Sequence, residues 1–137
     1  MHKLFSIVFI FILSVLPAKL KIGQTYQGGK IFYIDNTGKH GLIVAPKDFS
    51  ETATWDKAKQ LCKSYRGGGY SNWYLPTKDE LNMLYELKDV IGGFTPSYYW
   101  SSTEANGNNA WYQVFFNGNQ YGSYKSYTGK VRAVRAF

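Results

Sequence analysis

The sequence predicts a single α+β domain, with two helices in its first half and antiparallel strands around and after them. Three observations carry that reading. The 137 residues suffice for one ordinary domain and are too few for two sizeable ones. Two stretches, one near residues 55–65 and one from Thr77 to Gly92, place apolar side chains at helical spacing. The flanking segments are rich in aromatic and β-branched residues, separated by turns of Gly and Asn. With 45% hydrophobic and 18% aromatic residues, the chain is not disordered; its 14 glycines have no three-residue period and no heptad run occurs.

Taken in order, residues 1–18 stand apart. His2 and Lys3 make a basic start, and Leu4 to Leu16 is apolar apart from Ser6 and Ser14. Thirteen such residues fall short of the roughly 20 that span a bilayer as a helix, so no stable membrane span is expected. With Pro17 and the small Ala18 following, the run reads as a secretory signal peptide, although Leu16 stands where a small residue is favoured. The mature domain is then residues 19–137, exported from the cell, with 15 basic and 9 acidic residues remaining.

Residues 23–47 read as a hairpin: KIFYID and LIVAP are strand-like, and NTGKHG is turn-like. Ser50 or Thr54 caps the first helix, which gathers Trp55, Ala58, Leu61, Cys62 and Tyr65 on one face. RGGGYSN then breaks the chain. No strand precedes these glycines and no phosphate-loop pattern follows, so a loop is expected. The second helix starts sharply, with Pro76 before it, Thr77 as N-cap and Glu80 completing a capping box. Leu75 is placed to pack on Leu81, and Leu81, Leu84, Tyr85 and Lys88 share a face ending at Gly92–Gly93. From Tyr98 the pattern is β, through YYWSS, AWYQVFF, the turn NGNQYG, SYKSY and KVRAVRAF.

Four of these segments together resemble one bacterial family. GYSNWYLPTKDEL at 69–81, YWSSTE at 99–104, AW at 110–111 and KVRAVRAF at 130–137 are similar to the C-terminal domain of Legionella collagen-like (Lcl) adhesins. The similarity covers approximately residues 23–137. The WYLPT segment and the terminal VRAVR are also similar to formylglycine-generating enzymes and other C-type-lectin-like folds. The resemblance implies a C-type-lectin-like α+β domain in a secreted or cell-envelope protein. It also implies binding of sulfated glycosaminoglycans and a trimeric state, though the sequence carries no stalk to form one. The cysteine pair of the sulfatase-activating enzymes is missing, because Cys62 is alone, and the EPN, QPD and WND triplets of calcium-dependent lectins do not occur.

Residue chemistry points away from catalysis. Asp79 and Glu80 fall in a first helical turn, where negative charge offsets the helix dipole. Glu104 stands in the YWSSTE signature and reads as a buried hydrogen-bonding corner; no second carboxyl is identified for it. Only His2 and His40 could partner Cys62, and nothing brings either to it. Neither a metal site nor another cofactor is expected, since a lone cysteine and scattered acids supply no ligand set.

The carboxy-terminal quarter is the candidate site. Residues 105–137 hold Lys125, Lys130, Arg132 and Arg135 and no acid, with Trp111 and Tyr124 chosen from the interleaved aromatics Trp111, Tyr112, Tyr121, Tyr124 and Tyr127. Arginine forks take sulfate or carboxylate in two-point contacts, lysines add attraction, and aromatic faces stack on sugars. Arg132 and Arg135 also admit a structural reading, in which they pair with buried backbone or Glu104. Lys125 and Lys130, beside turns, are expected to be exposed. Trp73 and Trp100 flank packing motifs and are assigned to the core. The chain is therefore read as a non-enzymatic, exported, adhesin-like module for a sulfated or acidic glycan or another cell-surface ligand. The alternative is a structural or assembly domain facing a protein partner or a second copy. Nucleic acid is not expected as a partner, because the charge is moderate and no nucleic-acid motif occurs.

Overall fold

The computed structural model describes residues 6–8 and 18–137. Most of the expected signal segment, residues 1–18, lies outside the described residues. Strands β1 (Thr25–Tyr26), β2 (Gly29–Ile34) and β3 (Gly41–Val44) come first, followed by α1 (Trp55–Ser64). Next are α2 (Lys78–Glu86), α3 (Lys88–Ile91), β4 (Tyr98–Glu104), β5 (Asn109–Val114), β6 (Gln120–Tyr124) and β7 (Val134–Ala136). The strands form two antiparallel sheets, ordered β1-β2-β3-β7 and β4-β5-β6, so the fold is α+β as predicted.

The middle of the β1-β2-β3-β7 sheet is covered on both faces, and strand alternation explains how. Ile31 and Ile43 share a core with Trp55, Ala58 and Cys62 of α1, and with Trp73 and Trp100. Their neighbours Phe32 and Val44 share a second core with Leu81 and Leu84 of α2, Ile91 of α3, Tyr99 and Phe115. Successive side chains of a strand point to opposite faces, so β2 and β3 each supply both cores. Trp73 and Trp100 are buried as expected, and Cys62 is buried on α1 with its thiol pushed up to about 12 by desolvation. A thiol held protonated is a packing group, not a nucleophile.

The helices begin by different means. The Thr77 hydroxyl accepts from the Glu80 amide while the Glu80 carboxylate accepts from the Thr77 amide, closing the capping box. Such a cap contributes about 0.5–2 kcal/mol. At α1 the cap position is Thr54, but its side chain makes no capping bond; the Trp55 amide donates instead to the Lys125 carbonyl. Tertiary packing does there what a side chain does at Thr77.

Two expectations need correction. The second helix is not continuous to Gly92, because Leu87 (φ −102°, ψ 11°) breaks it into α2 and α3, making three helices. The bend brings Ile91 into the same core as Leu81 and Leu84. Leu75 and Leu81 are both buried but belong to different cores and form no staple. The RGGGYSN loop contains one turn of 3-10 helix, Gly67–Gly69, where Gly68 (φ +67°) runs against Gly28. A Cβ on Gly68 would stand 2.6 Å from the Gly28 Cα, so this approach requires glycine.

Candidate binding site

On the β4–β6 sheet, the face turned away from α2 opens into a groove of about 450 Å³. That volume falls within the roughly 300–1,000 Å³ usual for ligand pockets. Register builds its floor: Trp100 on β4 is opposite Tyr112 on β5, and Tyr112 is opposite Tyr121 on β6. Tyr98 precedes Trp100 by two residues and shares its face, while Ser123 lies opposite Ala110. The far wall is the turn carrying Tyr127, Thr128 and Gly129. Gly129 permits that approach, since a Cβ there would stand 3.0 Å from the Trp100 Nε1. Trp100 itself is pinned, donating through Nε1 to the Ala53 carbonyl at 2.9 Å.

The rings meet mostly edge-on, with centroid separations of 5.5 Å for Tyr98–Tyr112, 6.3 Å for Trp100–Tyr112 and 5.8 Å for Tyr112–Tyr121. Such packing holds ring faces in place. Desolvation, followed by the neighbouring Tyr98 and Tyr121 phenols, raises the Tyr112 hydroxyl above its ordinary value. Tyr98 is 56% exposed and Tyr127 58% exposed, so two ring faces stand open to a ligand. Beside the groove, a smaller recess of about 310 Å³ is lined by Gly107, Asn108, Tyr124, Lys125 and Ser126.

The six residues expected to bind do not converge. Arg132 is buried and its guanidinium is fully engaged: Nε donates to Ala45 O, Nη1 to Gly92 O and Nη2 to Pro46 O, at 2.9, 2.9 and 2.8 Å. It also stacks 4.2 Å from the Phe94 ring. Arg135 is buried too, donating to the Gln27 carbonyl and side chain and lying 4.2 Å from the Tyr70 ring. Both arginines hold backbone and neither faces a ligand; Glu104 pairs with neither. These contacts are the ones that the structural alternative for this pair expects.

The lysines also differ from expectation. Lys130 lies beside Tyr99, and its backbone stitches the turn to β4 through Tyr98 O and Trp100 N. Its ammonium sits 3.8 Å from the Asp48 carboxylate, 29% exposed, on the side away from the groove. Lys125 is 20% exposed; it pairs with Glu104 at 3.0 Å, donates to Gly107 O and lies 4.5 Å from the Trp55 ring. Glu104, expected to be buried, is instead on the surface as the Lys125 partner. Trp111 faces opposite to Tyr112, with the Lys78 ammonium 3.6 Å from its ring. Tyr124 alone remains exposed near the groove, packed edge-on against Tyr127 at 5.3 Å.

The family model described as Lcl C-terminal domain matches residues 35–135. The chain belongs to the Lcl C-terminal domain family. Membership makes it an adhesin-related domain. The matched residues of this Lcl C-terminal domain hold all three helices, the groove and both buried arginines, and leave out β1 and β2. No curated protein matches the chain.

Sequence reasoning about the Lcl C-terminal domain missed Tyr98, Ser123 and Thr128, and chose Trp111 over Tyr112. A signal for Tyr112 existed. In AWYQVFF the alternation sets Trp111, Gln113 and Phe115 on one face, and the buried Gln113 and Phe115 show that α2 covers it. The Asp79 and Glu80 assignment holds for Glu80, whose carboxylate serves the cap and accepts from the Tyr74 hydroxyl at 2.8 Å. Among the described residues, no three His, Cys, Asp or Glu side chains gather to hold a metal ion, and no helix is long and apolar enough to cross a membrane.

Proposed function

We propose that this domain is an exported, non-enzymatic, adhesin-like module that holds a surface glycan in the groove between β4–β6 and the turn at Tyr127–Gly129. One observation carries the reading: the open ring faces of Tyr98 and Tyr127 flank Tyr112 beside the Ser123 and Thr128 hydroxyls. Sugars offer apolar C–H faces and a rim of hydroxyls, which that lining complements. A C-type-lectin-like role suits an α+β scaffold with such a face. The absence of catalysis is supported by how the candidate groups are used, with Glu80 in a cap and the Cys62 thiol buried.

Acidic polysaccharide is a second reading of the same module. It is favoured by the formal net charge of +7 and by the exposed Lys57, Lys63 and Arg66 on and just after α1. These could attract a polyanion over about 8 Å at physiological salt. A glycan array probed with the purified chain tests the module, and binding to at least one glycan class is the expected result. Concentration-dependent self-association without any glycan binding would replace it with the assembly-domain reading, for which the exposed edge strand β6 is the natural surface. Export is tested by amino-terminal sequencing of protein from envelope or culture fractions. A start near residue 19 is expected, and an intact cytoplasmic form as the sole species overturns it.

A further inference from the structure

We propose that the groove selects uncharged saccharides over sulfated or uronic-acid glycans, an inference that rests on the glycan-module reading. The lining supplies four aromatic rings, Tyr98, Trp100, Tyr112 and Tyr127, and the hydroxyls of Ser123 and Thr128. No charged side chain lines it. Moving a sulfate or carboxylate into such a recess strips its water without offering a cation in return, which costs more than it gains. Stacking of a neutral ring strips only apolar surface.

The nearest cations are spent. Strand alternation aims the Lys130 side chain beside Tyr99 at Asp48, while its backbone supports the groove edge through Tyr98 and Trp100. Lys125 is committed to Glu104 and Gly107 O at the neighbouring recess. Arg132 and Arg135 are buried against carbonyls. Desolvation holds the Tyr112 hydroxyl above its ordinary value. The exposed cations Lys57 and Lys63 are on α1, outside the lining. The groove and the overall positive charge thus present different chemistries to a glycan.

The test is a titration of the full chain with short neutral hexose oligosaccharides and with sulfated ones of equal length, at low and at moderate salt. Neutral ligands should bind with affinity unchanged by salt. Tyr98→Ala and Tyr127→Ala, at rings more than half exposed, should each weaken that binding by about tenfold while the melting temperature holds. Binding of sulfated ligands alone, weakening with salt, overturns the ligand class and leaves the module reading standing. Neutral binding that neither tyrosine substitution changes overturns the groove as its seat. No binding to any saccharide overturns both.

Discussion

The carboxy-terminal segment 130–136 and the aromatic face of β4–β6 both have the residue types of a ligand site, yet only one is open. Val131, Arg132, Ala133, Val134 and Arg135 are all buried, because elements cover the segment on both sides. An arginine placed there meets carbonyls before it meets solvent, and the three nitrogens of Arg132 each donate one bond, joining Ala45, Pro46 and Gly92. Tyr98 stands on a sheet face that α1 covers only in part and Tyr127 on the turn beside it, and their rings remain available. Positive charge on a two-faced buried strand is therefore tied into the scaffold, whereas uncharged rings on a half-open face stay accessible, which is why the proposed binding surface is placed there.

The strongest way to break this comparison is Arg132→Gln. Three carbonyls would lose their donor and Asp48, 3.8 Å away, would lose a counter-charge. The expected loss is about 3–5 kcal/mol of unfolding free energy by denaturant titration. Ligand affinity of the folded fraction should stay unchanged. An Arg132→Gln protein of parental stability that had lost its ligand would return the segment to the site.

A smaller effect, read as a slope, concerns Asp48. Its Oδ2 accepts from the Tyr99 hydroxyl at 2.6 Å, and Arg132 and Lys130 face it at 3.8 Å each. Burial, the largest influence, raises its carboxyl above the ordinary 3.8, against the pull of Tyr99, Arg132 and Lys130. The folded protein thus takes up a proton more readily than the unfolded chain. Stability from that proton is fully present below the unfolded value and is lost as pH rises through the folded one. Relative to Asp48→Asn, the parent should gain stability as pH falls from neutral toward about 4. A relative loss on acidification would show that the two cations outweigh burial.

Local signals in the sequence revealed local structure. The β2–β3 hairpin, the Thr77–Glu80 box and the start of β4 each rest on residues within a few positions of one another. What could not be read required distant pairing. Glu104 and Lys125 are 21 positions apart, Arg132 and Ala45 are 87 apart, and no short-range pattern links either pair. The break at Leu87 escaped for a related reason, since it serves packing of Ile91 against a core built from β2, β3, β4 and β7. The groove was half legible: the aromatics of β5 and β6 stood out by composition, but their facing depends on which side α2 covers. Tyr98 belongs to the site only because the turn at Gly129 folds over Trp100, a contact permitted by a glycine that sequence alone does not distinguish from any other turn residue.

The finest test lies at the boundary between the two regions, at Lys125. Its carbonyl starts α1 through the Trp55 amide, and its ammonium ties Glu104 and Gly107 O to the ring of Trp55. Backbone bonding survives any substitution, so Lys125→Gln removes only the ion pair, one hydrogen bond and the ring contact. Glu104 is 58% exposed, which leaves its charge largely hydrated when the partner is lost. The cost should be about 0.2–1 kcal/mol, the range for exposed pairs. A double-mutant cycle with Glu104→Gln should recover most of that as coupling, and added salt should reduce it. Neutral-ligand affinity should not move, because Lys125 lies outside the groove lining. Were binding to fall while stability and coupling stayed flat, the lysine would be contacting the ligand, and the division between spent charge and open rings would fail at this residue.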